Sequence, residues 1–201
     1  MSRNVCSQCY RPQKTCICEF IQPIDNHIEI GILQHPTEVK QTKGTAIIAN
    51  LALNRSQIWV GELISELPGL VDWLNDDNPI YLLYPKIDNQ SENYQSWSID
   101  DVKVKTPQHI KILILDGTWR KTFKMMQLNP ELRALPRIEL KPEFESQYKV
   151  RKQKDSGSLS TVEAVYELLS QLENDAEKFQ PLLDAFNKMQ QQQLAFSKKS
   201  E

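Results

Sequence analysis

Apolar and polar positions divide the chain into alternating strand-like and helix-like stretches. The clearest is 111–127, KILILDGTWRKTFKMMQ. Ile112, Leu113, Ile114 and Leu115 form an unbroken apolar run, which suits a strand covered on both faces. Asp116 follows directly, Gly117 allows a tight turn, and Thr118 is placed to cap a helix carrying Phe123, Met126 and Gln127. Residues 27–34, HIEIGILQ, alternate and predict an earlier strand, broken by His35-Pro36. Ala46, Ile47, Ala49, Asn50 and Leu53 then recur at helical spacing within 39–53. Residues 57–60 and 79–84 predict two more strands, the second ended by Pro85. Pro68-Gly69 keeps 62–75 from being one clean helix. Residues 88–107 are polar and read as a loop, with Trp97 packing; 128–132 read as a turn. The end of 133–140 alternates as a strand does, 143–147 read as irregular, and 155–158 as a Gly-containing loop. Two helices close the chain. One starts at 160 and puts Val162, Val165, Leu169 and Leu172 on one face; the other, 176–194, buries Phe179, Leu182, Leu183, Phe186 and Met189.

Strand, turn and helix in repeated succession predict an α/β fold, with a mostly parallel sheet and helices on both faces. With 201 residues, 40% of them hydrophobic, the chain can bury one sizeable core. No apolar run approaches the ~20 residues of a membrane span, and the first ten residues lack the apolar centre of a signal peptide. A cytoplasmic protein is expected. The net charge of −2 hides an asymmetry. Residues 103–154 hold 13 Lys/Arg against 5 Asp/Glu, and the rest of the chain is acidic. Such a basic segment favours a polyanion, such as RNA, as partner, although for any single basic residue there a solvated face is the simpler reading.

Candidate chemistry falls in three places. Cys6, Cys9, Cys16 and Cys18 form C-x2-C-x6-C-x-C and are the only cysteines. Four thiols within 13 residues suit a structural, tetrahedral zinc in a compact knuckle at 1–24, ahead of a main domain at 25–201. Two disulfides or an iron–sulfur cluster are the alternatives. Four protein ligands leave such a metal no open position, so its role is to hold the fold or touch RNA. Asp116 lies at the carboxyl end of a predicted parallel strand, where open α/β sheets place ligands; Asp is equally at home capping such a turn. His35 and Glu38 fall on the same edge, where a locally bonded turn histidine is the simpler reading. Late in the chain, Ser160 and Glu163 have capping-box spacing. Arg151, in the basic window 148–154, can fork to a phosphate or carboxylate. Arg120 faces solvent or phosphate.

The cysteine pattern, Asp116-Gly117-Thr118-Trp119 and 159–164, LSTVEA, follow one another in the order of the DTW-domain family, which the chain resembles over Cys6 to Ala164. That family comprises SPOUT-like tRNA-uridine aminocarboxypropyltransferases. The resemblance implies a trefoil-knotted fold and transfer of the 3-amino-3-carboxypropyl group from S-adenosylmethionine to uridine N3 in tRNA. It implies Asp116 as the base or as the group that orients N3. It implies co-substrate contacts at Tyr84, Pro85, Leu115, Gly117, Thr118 and Trp119, and at Leu159, Ser160, Thr161 and Glu163. It places His35, Asn54, Arg55, Arg120 and Arg151 towards the RNA. Two other readings stay open: an RNA methyltransferase of the same fold class, and a zinc-knuckle RNA-binding module without activity. The sequence sets no oligomeric state and is compatible with a monomer.

Overall fold

A computed structural model of the chain describes residues 4–39, 41, 44–85, 95–105, 109–140 and 159–197. Among the described residues, six strands form one sheet. They are β1 (Glu29–Gln34), β2 (Ser56–Val60), β3 (Ile80–Leu83), β4 (Ser96–Trp97), β5 (Lys111–Asp116) and β6 (Arg137–Ile138). Their order is β2-β1-β5-β3-β6-β4, and every pairing among them is parallel. Among the described residues, seven α-helices surround it: α1 (Ala46–Ala52), α2 (Pro68–Leu74), α3 (Ile99–Lys105), α4 (Trp119–Leu128), α5 (Pro130–Ala134), α6 (Thr161–Leu172) and α7 (Ala176–Ser197). The α/β class with a parallel sheet is as the apolar pattern predicts.

Each strand residue alternates between two apolar layers. Ile30, Ile32, Ile112 and Ile114 join Val165, Leu169, Phe179 and Phe186 from α6 and α7. Leu33, Leu82 and Leu113 join Leu70, Trp73, Met125, Met126 and Leu132 from α2, α4 and α5. This double cover explains why β1 and β5 are buried nearly throughout. Gly31 is required by packing: a Cβ there would lie 2.9 Å from Trp73 Cη2 and 3.1 Å from Trp59 Cζ3. The two indoles meet over it with centroids 5.4 Å apart.

Several local expectations are corrected. The segment 88–107 contains β4 and α3, because Ile99 and Val102 bury against the core. Trp97 does pack, edge-on to Tyr81 at 6.2 Å. The predicted turn at 128–132 includes the start of α5, with Pro130 in its first turn. The first helix begins at Ala46, later than the 39–53 pattern implied. Successive turns precede it, with Glu38 N–H donating to His35 O and Gln41 N–H to Glu38 O. The expectations for 143–147, 148–154 and 155–158 lie outside the described residues.

The cysteine segment rests on the main body. Val5 bridges Pro12, and two short 3₁₀ turns, Gln13–Thr15 and Cys18–Phe20, complete it. Arg11, itself buried, donates to Gly44 O at 3.0 Å and reaches Met189 Sδ of α7 at 2.9 Å. Gln192 of α7 donates to Cys16 O at 3.2 Å. Cys9 and Ile17 lie in the same apolar cluster as the sheet. No helix among the described residues is long and apolar enough to cross a membrane.

Candidate functional site

The site is built at the carboxyl edge of the sheet. Register places Gln34, the last residue of β1, opposite Asp116, the last of β5. Gln34 Nε2 donates to Asp116 Oδ2 at 2.8 Å, and His35 N–H donates to Asp116 O at 2.9 Å. The other carboxylate oxygen accepts from Thr161 Oγ1 at 2.5 Å. Thr161 opens α6, so a helix N-terminus faces a buried carboxylate, a favourable arrangement for negative charge. Asp116 is therefore gripped on both oxygens and cannot swing freely.

The turn into α4 is close-packed. A Cβ on Gly117 would meet Lys121 Cβ at 3.3 Å and Thr122 Cγ2 at 3.4 Å. Here glycine permits close approach; its backbone is not in the left-handed region. Thr118 occupies the cap position of α4, but its side chain makes no capping bond, so that expectation is corrected. Its carbonyl accepts from the N–H groups of Lys121 and Thr122. Trp119 is half exposed and meets the Tyr84 ring edge-on, with centroids 6.1 Å apart. Tyr84 is buried. Its hydroxyl lies towards Thr122 without hydrogen-bond geometry and has no partner among the described residues. Burial pushes its phenol above the ordinary value, against the opposing influence of Thr122 and Arg137. Leu115 packs beneath this wall, and Pro85 stands exposed at its rim.

His35 is a fixed residue of the site edge. Thr37 N–H donates to its Nδ1 at 3.2 Å, which leaves the proton on Nε2 to donate to Glu62 Oε1 at 2.7 Å. Lys124 also binds Glu62, at 2.9 and 3.0 Å. These partners, Lys124 first and His35 second, hold the Glu62 carboxyl below its ordinary range. Lys121 pairs with Glu38 at 2.6 Å and ties α4 to the loop after β1.

At the start of α6 the capping box forms as predicted. Ser160 N–H and Oγ donate to Glu163 Oε2 at 2.8 and 2.7 Å, and Glu163 is fully buried. Because these two side chains satisfy one another, Thr161 and the backbone are what this turn offers to a ligand. Thr45 Oγ1 accepts the N–H of Val162 at 3.3 Å. Leu159 is half-buried beside them.

The structure thus brings together Tyr84, Pro85, Leu115–Trp119, His35 and Thr161. It does not bring Asn54 and Arg55 to this edge. They precede β2, and in a parallel sheet that places them at the amino edge, opposite Asp116. There Arg55 lines an open cleft of about 570 Å³ with His27, His109 and Lys178. Arg120 is exposed on α4; Arg151 lies outside the described residues. Sequence reading missed Gln34, Thr45 and Glu62, whose roles arise only from strand register and tertiary contact; Lys124, which the sequence sets for solvent or phosphate, instead binds Glu62.

In the cysteine cluster the four sulfurs lie within 4.8 Å of one another, and Cys6–Cys18 and Cys9–Cys16 are each 3.7 Å apart. Tetrahedral coordination with ~2.3 Å metal–sulfur bonds sets sulfur–sulfur edges of about 3.8 Å, so the geometry fits a metal. The N–H groups of Cys9 and Gln8 lower the Cys6 thiol to about 6. Burial and neighbouring thiols raise Cys18; at Cys16 the Cys18 N–H and thiol lower the group, but burial and the Cys6 and Cys9 thiols leave it raised. Four thiolates at this spacing need a cation to coexist.

The DTW domain family model matches residues 3–194. The chain belongs to the DTW-domain family. Among DTW-domain relatives, it is 30% identical over 179 residues to tRNA-uridine aminocarboxypropyltransferase 2 of Macaca fascicularis, covering 86% of this chain and 58% of the relative. It is 30% identical over 187 residues to the protein of the same name from Drosophila melanogaster, covering 90% and 71%. To tRNA-uridine aminocarboxypropyltransferase A of Arabidopsis thaliana it is 23% identical over 202 residues, covering 89% and 76%. The chain spans 58% of the length of the macaque and mouse relatives. No solved structure matches it.

Proposed function

We propose that the chain transfers the 3-amino-3-carboxypropyl group of S-adenosylmethionine to N3 of a uridine in tRNA, releasing methylthioadenosine. The names of its relatives and the extent of the DTW match support this reading. The observation that carries it is the hydrogen bond from Thr161 to Asp116. Two motifs far apart in sequence meet there, at the sheet edge where α/β folds bind ligands.

S-adenosylmethionine supplies a sulfonium that makes the first carbon of its amino acid chain electrophilic. Asp116, oriented by Gln34 and Thr161, accepts the N3–H of the uridine and takes its proton as N3 is alkylated. Tyr84, Leu115, Gly117, Thr118, Trp119 and Thr161 form the wall that would hold the co-substrate. The buried, unpartnered Tyr84 hydroxyl fits a ligand there, because such a group is costly to leave unsatisfied. Positioning of the nucleophile and one carbon supplies most of the rate, since the same sulfonium also activates a methyl group.

The test is nucleoside analysis of tRNA after incubation with the protein and S-adenosylmethionine. A uridine gaining the aminocarboxypropyl mass, absent with Asp116→Asn, supports the proposal. A methylated uridine with S-adenosylhomocysteine as product would make the protein a methyltransferase.

Three further parts belong to this proposal. Residues 1–24 form a knuckle whose cysteines hold one structural zinc, and 25–201 carry the chemistry. The fold is SPOUT-like and knotted, a reading that the DTW family match supports. The protein works in the cytoplasm, where four such thiols persist as metal ligands and not as disulfides.

A further inference from the structure

Helix α4 buries one face and leaves another without cover. Thr122, Met125 and Met126 are buried, whereas Trp119, Arg120, Phe123, Lys124 and Gln127 are exposed. Trp119 and Phe123 are one helical turn apart on that open face, 52% and 42% exposed. A Phe and a Trp so exposed cost hydration, and helix formation does not require either. Among the described residues Trp119 has one ring neighbour, Tyr84, and more than half of it remains open. Beside the two rings stand two cations. Lys124 is shared with Glu62 and keeps 57% of its side chain exposed, and Arg120 meets no acid among the described residues. Asp116 lies only three residues before Trp119.

Aromatic rings alternating with cations match a single-stranded nucleic acid, in which bases stack and phosphates pair. A purely apolar protein partner would leave the Arg120 charge uncompensated. We infer that the exposed face of α4 binds an unpaired stretch of the RNA flanking the target uridine, with Phe123 stacking on a base next to it and Arg120 on a phosphate. This inference rests on the proposal that the chain acts on RNA, and it adds a surface and a residue that the Asp116 site does not include.

The test is equilibrium binding of an unmodified tRNA transcript to the full-length protein, alongside transfer assays. Phe123→Ala is expected to weaken RNA binding about tenfold, in keeping with the loss of one stacked base. Phe123→Tyr restores it, and affinity for S-adenosylmethionine does not change. Arg120→Ala is expected to reduce the slope of log affinity against log salt by about 0.7, one phosphate's worth. Phe123 is exposed, so its replacement does not threaten folding. Unchanged RNA binding by Phe123→Ala, with transfer intact in the wild type, overturns this inference and spares the proposed function. Weakened binding by the variant, with no transfer by the wild type, overturns the function and spares this surface. Self-association abolished by Phe123→Ala, with no RNA binding, would assign the face to a second copy of the chain and overturn the inference.

Discussion

At the scale of single residues, the carboxylate of Asp116 is the centre, and its neighbours decide how it is aimed. Thr161 donates a side-chain hydrogen bond to one of its oxygens, and Gln34 donates to the other. Thr161→Val keeps the volume and removes the donor. Transfer should fall about 10- to 100-fold, as expected for a hydrogen bond to a charged group worth ~1.5–3 kcal/mol. Steady-state kinetics of that variant check it, and a wild-type rate would remove Thr161 from the site. Glu62 gives a pH prediction. Its folded carboxyl is held below the ordinary 4.5 by Lys124 and His35. The stabilisation is therefore whole above that value and is lost as the pH falls through the lower folded value. Glu62→Gln should flatten the acid limb of a stability–pH curve and leave the neutral region with a small, constant loss; a partly exposed group contributes little. Parallel acid limbs in the two proteins would contradict this.

At the scale of elements, the N-terminal knuckle and α7 depend on one another. Arg11 and Gln192 join them, and Cys9 and Ile17 share the main core. If the cysteines hold the proposed zinc, its removal should therefore do more than loosen a tip. Chelation at neutral pH is then expected to release one equivalent of zinc and to lower the melting temperature of the whole protein. Loss of zinc with an unchanged melting curve would separate the knuckle from the fold. Much at this scale was legible in the sequence. The apolar run 112–115, the capping box at Ser160 and Glu163, and the Pro68-Gly69 break each express a local rule, and each is found. The helix α3 was not legible. Ile99 and Val102 are buried, but they stand among Asp100, Asp101 and Lys103, and so short a pattern shows no clear period against a polar background. Thr118 misled in the opposite way, since a good capping residue sits at the cap without using its side chain.

At the scale of the whole molecule, the sheet order decides which distant residues meet. That Gln34 faces Asp116 follows from β1 lying beside β5, a pairing no local pattern declares. The same order explains why Asn54 and Arg55 stand apart from the site. Parallel strands gather their carboxyl ends on one edge, and these two residues precede a strand. The cysteines and Asp116-Gly117-Thr118-Trp119 could be read directly because their chemistry is contiguous. The convergence of Thr161 on Asp116 required the fold. On the proposed function, this converged edge directs one particular carbon of S-adenosylmethionine to a uridine. The most direct measurement uses the purified protein, unmodified tRNA and S-adenosylmethionine labelled separately in its methyl and its aminocarboxypropyl carbons. The account predicts aminocarboxypropyl label in the tRNA with release of methylthioadenosine. Methyl label in the tRNA, or no label at all, would contradict it.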